Sequence, residues 1–211
     1  MGYRVEVYVR YLWVDSGNDP NWAKVEEHDI DGLFFDIFDP RVTSIYLANV
    51  KAKGYAVGVY MVTNWPQFQG KTPEQIAEIV SARVKEITGA GVTTPSFPKV
   101  QFDMEEHDPD KIIRVLRKWR ELRPRQDTSW TMESFQGGWM SRDFVYEVVN
   151  LKIRVVPQYY KGNMDRVAQD VGLKDMLSAG FPYQLVTGFY DAADLPLFNW
   201  DGFAFTMGRL P

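Results

Sequence analysis

The sequence contains no cysteine and only two histidines among its 211 residues. These absences exclude disulfides and thiolate chemistry, and they make a zinc site unexpected, because zinc is bound chiefly by Cys and His. No apolar run approaches the ~20 residues that a membrane-spanning helix needs. Basic residues are outnumbered by acidic ones, giving a net charge of −4, which argues against a nucleic-acid-binding protein.

Several sequence signals are also missing. The N-terminal stretch MGYRVEVYVRYLW lacks the charged start, long apolar run and cleavage site of a secretory signal peptide. No GxGxxG or GxxxxGK[ST] follows a strand-like run, and no GxSxG is present, so nucleotide binding and serine-hydrolase chemistry are not indicated. We expect no metal, no organic cofactor and no membrane insertion. A virion-associated protein and a cytoplasmic protein before its release are the two locations left open.

The composition is 45% hydrophobic, which is enough for one large core. Strand-like runs alternate with helix-like runs, and this alternation is typical of a parallel sheet covered by helices. We predict an α/β fold, a compact (β/α)8 TIM-type barrel with some short or missing helices, in a single domain spanning residues 1–211. An open, doubly wound sheet is the alternative. The predicted strands are 4–14, 32–38, 55–63, 98–104, 128–134, 152–160, 184–190 and 202–207, and the predicted helices are 43–54, 71–91, 108–124, 141–150 and 163–180.

Helix boundaries are marked most clearly at two places. Thr72 and Gln75 form the pattern of a capping box, with Pro73 at the first helical position. Asp108 is placed to cap the following helix, with Pro109 just inside its start. The first and last connections, 15–31 and 191–201, show little regular helical pattern.

Carboxylates crowd the end of the fourth predicted strand, in FPKVQFDMEEHDPDK. Side chains alternate along a strand, so the stretch divides into two faces. The apolar face should pack under the helices, and the polar face should point to the barrel axis and reach its C-terminal mouth, where barrel enzymes keep their active sites. The apolar set is Val100, Phe102 and Met104, and the polar set is Gln101, Asp103 and Glu105.

The next strand repeats this pattern in SWTMES, where Trp130 and Met132 are expected to face the helices. Ser129, Thr131 and Glu133 are then expected to face the axis. A third strand has Arg154, Val156 and Gln158 on one face. Polar inward faces on adjacent strands favour a ligand site over a purely packed interior.

Three of these acids, Asp103, Glu105 and Glu133, are candidate catalytic residues. Carboxylates two residues apart on a strand have Cβ atoms ~6.5–7 Å apart, and a neighbouring strand is displaced by ~5 Å. These spacings match the pair of carboxyl groups that hydrolyses glycosidic bonds. Glu106 should point away from Glu105 and pair with a basic residue, and Asp108 is read as a helix cap.

Other residues at the predicted mouth suit a sugar. Aromatic rings offer flat apolar faces with a polar handle, and amides and carboxylates bind hydroxyl groups. The additional candidates are Asp36, Asn64, Trp65, Tyr159, Tyr160 and Asp191.

At this point the sequence resembles the family 25 glycoside hydrolases, the Chalaropsis-type lysozymes, which are N-acetylmuramidases common in phage lysins. FDME (102–105) looks like that family's D-x-E, GVYM (58–61) like its third-strand GVYH, VPQYY (156–160) like its sixth-strand AQY, and YQLVTG (183–188) faintly like its seventh-strand WQY. The resemblance implies that Glu105 is the general acid and that Asp103 positions the reacting N-acetyl sugar. It also implies that Tyr60, Gln158 and Tyr159 line the saccharide cleft.

The sequence departs from that family in its first strand. The family opens with an active-site aspartate in G-x-D-x-S, whereas this chain reads VEVYVRYLWVD, with Asp15 only at the far end. Two functions therefore remain open. One is a lysozyme-like hydrolase acting on peptidoglycan; the other is a catalytically silent barrel that binds glycan or serves as a structural part, such as a phage tail protein with other virion proteins as partners.

Overall fold

The computed structural model describes residues 9–14, 16–17, 19–20, 22–27, 30–89, 98–104, 108–132, 142–160, 186–188 and 203–206. Strands and helices alternate over most of this length, as the sequence predicts. The strands are β1 (Val9–Val14), β2 (Gly32–Asp36), β3 (Ala56–Val62), β4 (Lys99–Asp103), β5 (Thr128–Met132), β6 (Arg154–Tyr160), β7 (Val186–Gly188) and β8 (Phe203–Thr206). The helices are α1 (Trp22–Glu27), α2 (Ser44–Ala52), α3 (Pro73–Thr88), α4 (Pro109–Leu122) and α5 (Arg142–Asn150), with a 3₁₀ turn at Pro66–Phe68.

The strands form one sheet in the order β7-β6-β5-β4-β3-β2-β1-β8. Strands β1 to β7 pair in parallel, each with its neighbour in the chain. The α/β class and the parallel sheet predicted from the sequence are confirmed. Cα atoms of β7 and β8, the two ends of the order, come within 8 Å of each other. Closure into a complete barrel stays a prediction.

Strand β8 runs antiparallel to β1, with Val9 opposite Thr206, and so departs from an all-parallel (β/α)8 barrel. A parallel strand needs a crossover that returns the chain to its starting end, usually through a helix. A strand that runs antiparallel to the preceding strand starts at the end of the sheet where that strand stops, so it needs no such crossover. The intervening stretch 189–202 contains Pro196 and ends in Asp-Gly, a turn-forming pair.

Two helix starts confirm the predicted capping. Thr72 accepts a hydrogen bond from the Gln75 amide, and the Gln75 side chain accepts one from the Thr72 amide. Helix α3 then ends at Gly89, in the left-handed conformation that glycine tolerates. Asp108 caps α4 by accepting from the Lys111 amide at 3.0 Å. The short helix α1 was not predicted, and the predicted helix 163–180 lies outside the described residues.

The hydrophobic core lies between the outer face of the sheet and the helices. Val100 and Phe102 of β4 and Met104 directly after it are all buried, as predicted for this face. The Phe102 ring packs edge-on against Trp119 of α4, with centroids 5.1 Å apart. On β5, the Trp130 ring packs in the same way against Phe144 of α5. Burying these rings supplies much of the hydrophobic stabilisation that holds the helices on the sheet. Among the described residues, no helix has the length and apolar character needed to cross a membrane.

The opposite face of the sheet is concave. The indole nitrogen of Trp13 on β1 donates to Oε1 of Gln101 on β4, at 2.6 Å. Two strands separate β1 from β4, so in a flat sheet they would lie about 14 Å apart. A direct hydrogen bond over that span requires the sheet to curl around this face, which is called the inner face below.

Candidate functional site

The C-terminal ends of β2, β3, β4 and β5 bring several polar residues to one edge of the inner face. Asp36 lies opposite Tyr60 on β3, and Asp103 lies between Val62 of β3 and Thr131 of β5. This is the edge at which parallel α/β sheets bind their ligands. Asp36 and Tyr60 are buried, whereas Asp103 remains partly exposed.

Aromatic rings line the side of the inner face formed by β1 to β3. Trp13, Phe34, Tyr60 and Trp65 pack together there, and this group is called the aromatic wall. The centroids of Trp13 and Phe34 are 6.1 Å apart with nearly parallel rings, and those of Tyr60 and Trp65 are 5.8 Å apart. Trp65 also contacts Phe38 from the loop after β2. The wall therefore runs from inside the sheet to the loop at its C-terminal edge.

Polar residues line the other side of the inner face, on β4 and β5. Gln101, Asp103, Ser129 and Thr131 make up this polar wall. Gln101, Ser129 and Thr131 are almost fully buried. The Gln101 amide nitrogen donates to Thr131 Oγ1 at 2.5 Å, while its oxygen accepts from Trp13. The two walls are thus joined at their base by one hydrogen-bonded chain, which fixes the orientation of the Gln101 amide.

The interior of such a sheet is usually filled by branched aliphatic side chains. Here one wall is aromatic and the other carries hydroxyl, amide and carboxylate groups. A cleft between them would offer an apolar surface on one side and hydrogen-bonding groups on the other. This is the combination that a sugar ring needs, since its faces carry C–H groups and its rim carries hydroxyl groups.

Two buried aspartates with different surroundings lie at the C-terminal end of β2 and in the loop that follows it. Asp36 accepts from the Phe38 amide at 2.7 Å and from Ser16, but burial, with the negative charge of Asp39 adding to it, raises the pKa of Asp36. Asp39 accepts from the Arg41 guanidinium and from the Gly17 amide, and these bonds hold the pKa of Asp39 well below its usual range. Asp39 therefore ties the loop after β1 to the loop after β2.

Arg83 of α3 holds this loop from the other side. Its Nε donates to the Ile37 carbonyl at 2.8 Å, and its Nη2 donates to the carbonyls of Val42 and Asp39 at 3.0 and 3.3 Å. The guanidinium thereby satisfies backbone acceptors that a loop leaves unpaired. The crevice beside Asp36 and Asp39 leaves essentially no interior space even for a water molecule. The loop therefore supports the site and is not itself a ligand pocket.

Asp36→Asn and Asp39→Asn are expected to have opposite effects on stability. A carboxyl with a lowered folded pKa contributes stability above its ordinary pKa of 3.8, and this is lost as the pH falls below that value. A carboxyl with a raised folded pKa contributes stability below 3.8, which is lost as the pH rises through the folded pKa. At pH 7, Asp39→Asn should lower the free energy of unfolding by about 1.5–3 kcal/mol, whereas Asp36→Asn should leave it unchanged or raise it.

Urea unfolding of the two variants and the wild type at pH 7 and at pH 3 would measure these effects. The difference between wild type and Asp39→Asn should shrink at pH 3. An equal loss of stability in both variants at pH 7 would contradict the opposite electrostatic surroundings assigned to the two aspartates.

The structure describes only part of the predicted site. It brings Asp36, Tyr60, Trp65 and Asp103 to the same edge of the inner face, and it leaves Asn64 exposed in the turn after β3. The backbones of Gln158, Tyr159 and Tyr160 lie in β6, opposite Val186, Thr187 and Gly188 of β7. Glu105, Glu133 and Asp191 lie outside the described residues. Arg154 forms an ion pair with Asp127 at the start of β5.

Trp13 was missed by sequence reasoning. Strand β1 reads VRYLWV, which is apolar at most positions, so no alternation marks which side chains face inward. The described part of the chain contains no group of three or more His, Cys, Asp or Glu side chains that could hold a metal ion.

Comparison with known proteins gives few matches. No protein-family model matches the chain, and no curated protein matches it significantly. Two solved structures are similar: the glycoside hydrolase domain of PelA from Pseudomonas aeruginosa and a point variant of that domain. The first is 9% identical with a TM-score of 0.43, and the second is 8% identical with a TM-score of 0.44. Each alignment covers 88% of this chain and 95% of the other.

Proposed function

We propose that this chain is a single glycoside-hydrolase domain, residues 1–211, that acts on cell-wall polysaccharide of the peptidoglycan type as an N-acetylmuramidase. The observation that carries the proposal is the position of Asp103. It lies on the inner face at the C-terminal edge of the sheet, partly exposed, on a polar wall that faces an aromatic one. The FDME motif that contains it supplies the second carboxylate, Glu105, two residues later.

In the proposed mechanism, Glu105 protonates the glycosidic oxygen as the bond breaks. Asp103, or Glu133 following β5, stabilises the positive charge that develops on the sugar ring. When carboxyl groups lie close together, the pKa of one of them rises, so that group stays protonated near neutral pH and can act as the acid. Tyr60 and Trp65 contribute the apolar side of the cleft. Further contacts to the glycan come from Asp36, Asn64, Asp191 and the β6 residues Gln158, Tyr159 and Tyr160.

A catalytically silent barrel is the second candidate, and one observation favours it. Strand β1 spans Val9–Val14 and contains no carboxylate, although the family that FDME resembles has an active-site aspartate in this strand. Such a barrel would bind glycan without cleaving it, or serve as a structural component of a larger particle such as a phage tail.

Incubation of the wild-type chain with purified peptidoglycan, and with chitin as a second substrate, would separate the two candidates. The hydrolase should release reducing ends from at least one of them, over a heat-inactivated control. Binding to either polymer in a pull-down, with no release of reducing ends, would favour the silent barrel. If the chain neither releases reducing ends nor binds either polymer, the hydrolase and the glycan-binding barrel are both contradicted, and only the structural role stands.

A further inference from the structure

Trp13 has an unusual setting for a tryptophan on a sheet interior. Trp119 and Trp130 of the helix-facing core are fully buried. Trp13 is only partly buried, although it lies on the concave inner face. Its indole N–H already donates to Gln101, so the exposed part of the side chain presents apolar ring surface and no free donor. Partial exposure of an anchored ring is what a stacking surface requires.

The ring is supported on one side by Phe34, its neighbour on β2, with ring centroids 6.1 Å apart. One side of Trp13 lies against Phe34, with an angle of 26° between the ring planes. Phe34 in turn lies over Gly58, where a Cβ atom would come within 2.3 Å of the Phe34 ring. Only glycine at position 58 allows Phe34 to sit this close to β3. Glycine at position 58 therefore sets how closely Phe34 approaches β3, and the Phe34 ring sets the orientation of the Trp13 ring plane.

The edge of the ring is held by the polar wall. Gln101 is almost fully buried, and Thr131 binds the other end of its amide. The indole cannot rotate without breaking a hydrogen bond in a buried site, where an unpaired polar group is costly. The plane of Trp13 is thus set on one side by packing and on the other by a hydrogen bond from a different part of the sheet.

We propose that Trp13 is a stacking platform at the base of the glycan cleft, and that Gln101 positions it. The platform suits a β-linked hexopyranose with equatorial substituents, because such a ring presents a flat face of axial C–H groups to an aromatic plane. Since the indole N–H is occupied, recognition at this position is by ring contact and not by hydrogen bonding. This inference rests on the proposed function and adds to it the residue that receives the sugar.

Isothermal titration of the whole chain with a β-1,4-linked tetramer of N-acetylglucosamine tests the proposal, with the tetramer checked for integrity afterwards. Trp13→Leu should weaken binding about tenfold or more, and Trp13→Phe should weaken it less. Gln101→Leu should weaken binding in the wild-type background but not in the Trp13→Leu background, because it acts through Trp13. The exposed Ile45 of α2 offers a control, Ile45→Ala, which should bind like wild type.

A second measurement does not depend on the variants being folded. The side-chain indole N–H signal of Trp13, observed by NMR in the wild-type chain, should shift as the tetramer is added. If the wild type binds the tetramer but this signal stays fixed, or folded Trp13→Leu binds as tightly as wild type, the platform is ruled out while the proposed function stands. Absence of any binding by the wild type would overturn the platform, and release of reducing ends from peptidoglycan by the same preparation would show that the proposed function still stands.

Discussion

Glu105→Gln is expected to slow glycan hydrolysis by about a hundredfold to ten-thousandfold, which is the usual contribution of a general acid. Glutamine keeps the size of the side chain and can still donate a hydrogen bond, but it cannot transfer a proton to the leaving oxygen. Affinity for the polysaccharide should change little, so the loss should appear in kcat and not in KM. Initial rates of reducing-end release from peptidoglycan would measure it, after thermal unfolding has shown that the variant is folded.

Glu106 serves as a matched control, and Glu133 tests which carboxylate assists Glu105. Glu106→Gln makes the same chemical change one residue away, where the sequence pattern predicts a side chain on the other face, and it should retain most of the activity. Glu133→Gln should be impaired if Glu133 is the stabilising carboxylate, in which case Asp103→Asn would be the milder change. Full activity in Glu105→Gln together with loss in Glu133→Gln or Glu106→Gln would keep a hydrolase and reassign its acid.

Gly58→Ala is expected to lower the free energy of unfolding by about 1–3 kcal/mol, although it adds a single methyl group. The new Cβ would lie 2.3 Å from a carbon of the Phe34 ring. Phe34 is buried and stacked against Trp13, so its ring could move away only by disturbing that contact. Chemical unfolding would measure the loss, and near-UV circular dichroism should change because the environment of Trp13 changes with it.

A second substitution should relieve this clash. Phe34→Leu removes part of the ring that the methyl group meets, so it should cost less stability in the Gly58→Ala background than in the wild type. The coupling between the two sites should then be favourable in a double-mutant cycle. Additive losses would mean that the two residues do not compete for the same space.

Much of the fold follows from local patterns in the sequence. The faces of β4 could be assigned because apolar Val100 and Phe102 alternate with polar Gln101 and Asp103. The capping box before α3 needs only Thr72 and Gln75. In contrast, WAKVEE in α1 is too short to establish a helical period. The direction of β8 could not be predicted either, because the pattern of FAFT is the same in either orientation.

The candidate site was predictable only where one strand carries its own signal. Alternation on β4 predicts Asp103 at the C-terminal edge of the inner face, and Asp103 pairs there with Val62 and Thr131, while its role stays a prediction. The bond between Trp13 and Gln101 joins residues far apart in the chain and depends on the curvature of the sheet, which no local pattern encodes. Asp39 likewise reads as part of a turn, in FDPR, and its bond to Gly17 emerges only when two loops meet.

The antiparallel pairing of β1 with β8 also bears on how the protein is made. Every other strand pairs with a neighbour in the chain, so the sheet from β1 to β7 can grow in the order of synthesis. The other edge of β1, however, is covered only once β8 has been made, with Val9 opposite Thr206. During translation that edge is open to pairing with other chains. A chaperone that holds the chain until β8 has emerged would protect this edge of β1. The yield of folded protein should therefore depend on the supply of chaperone more strongly than the stability of the folded protein does.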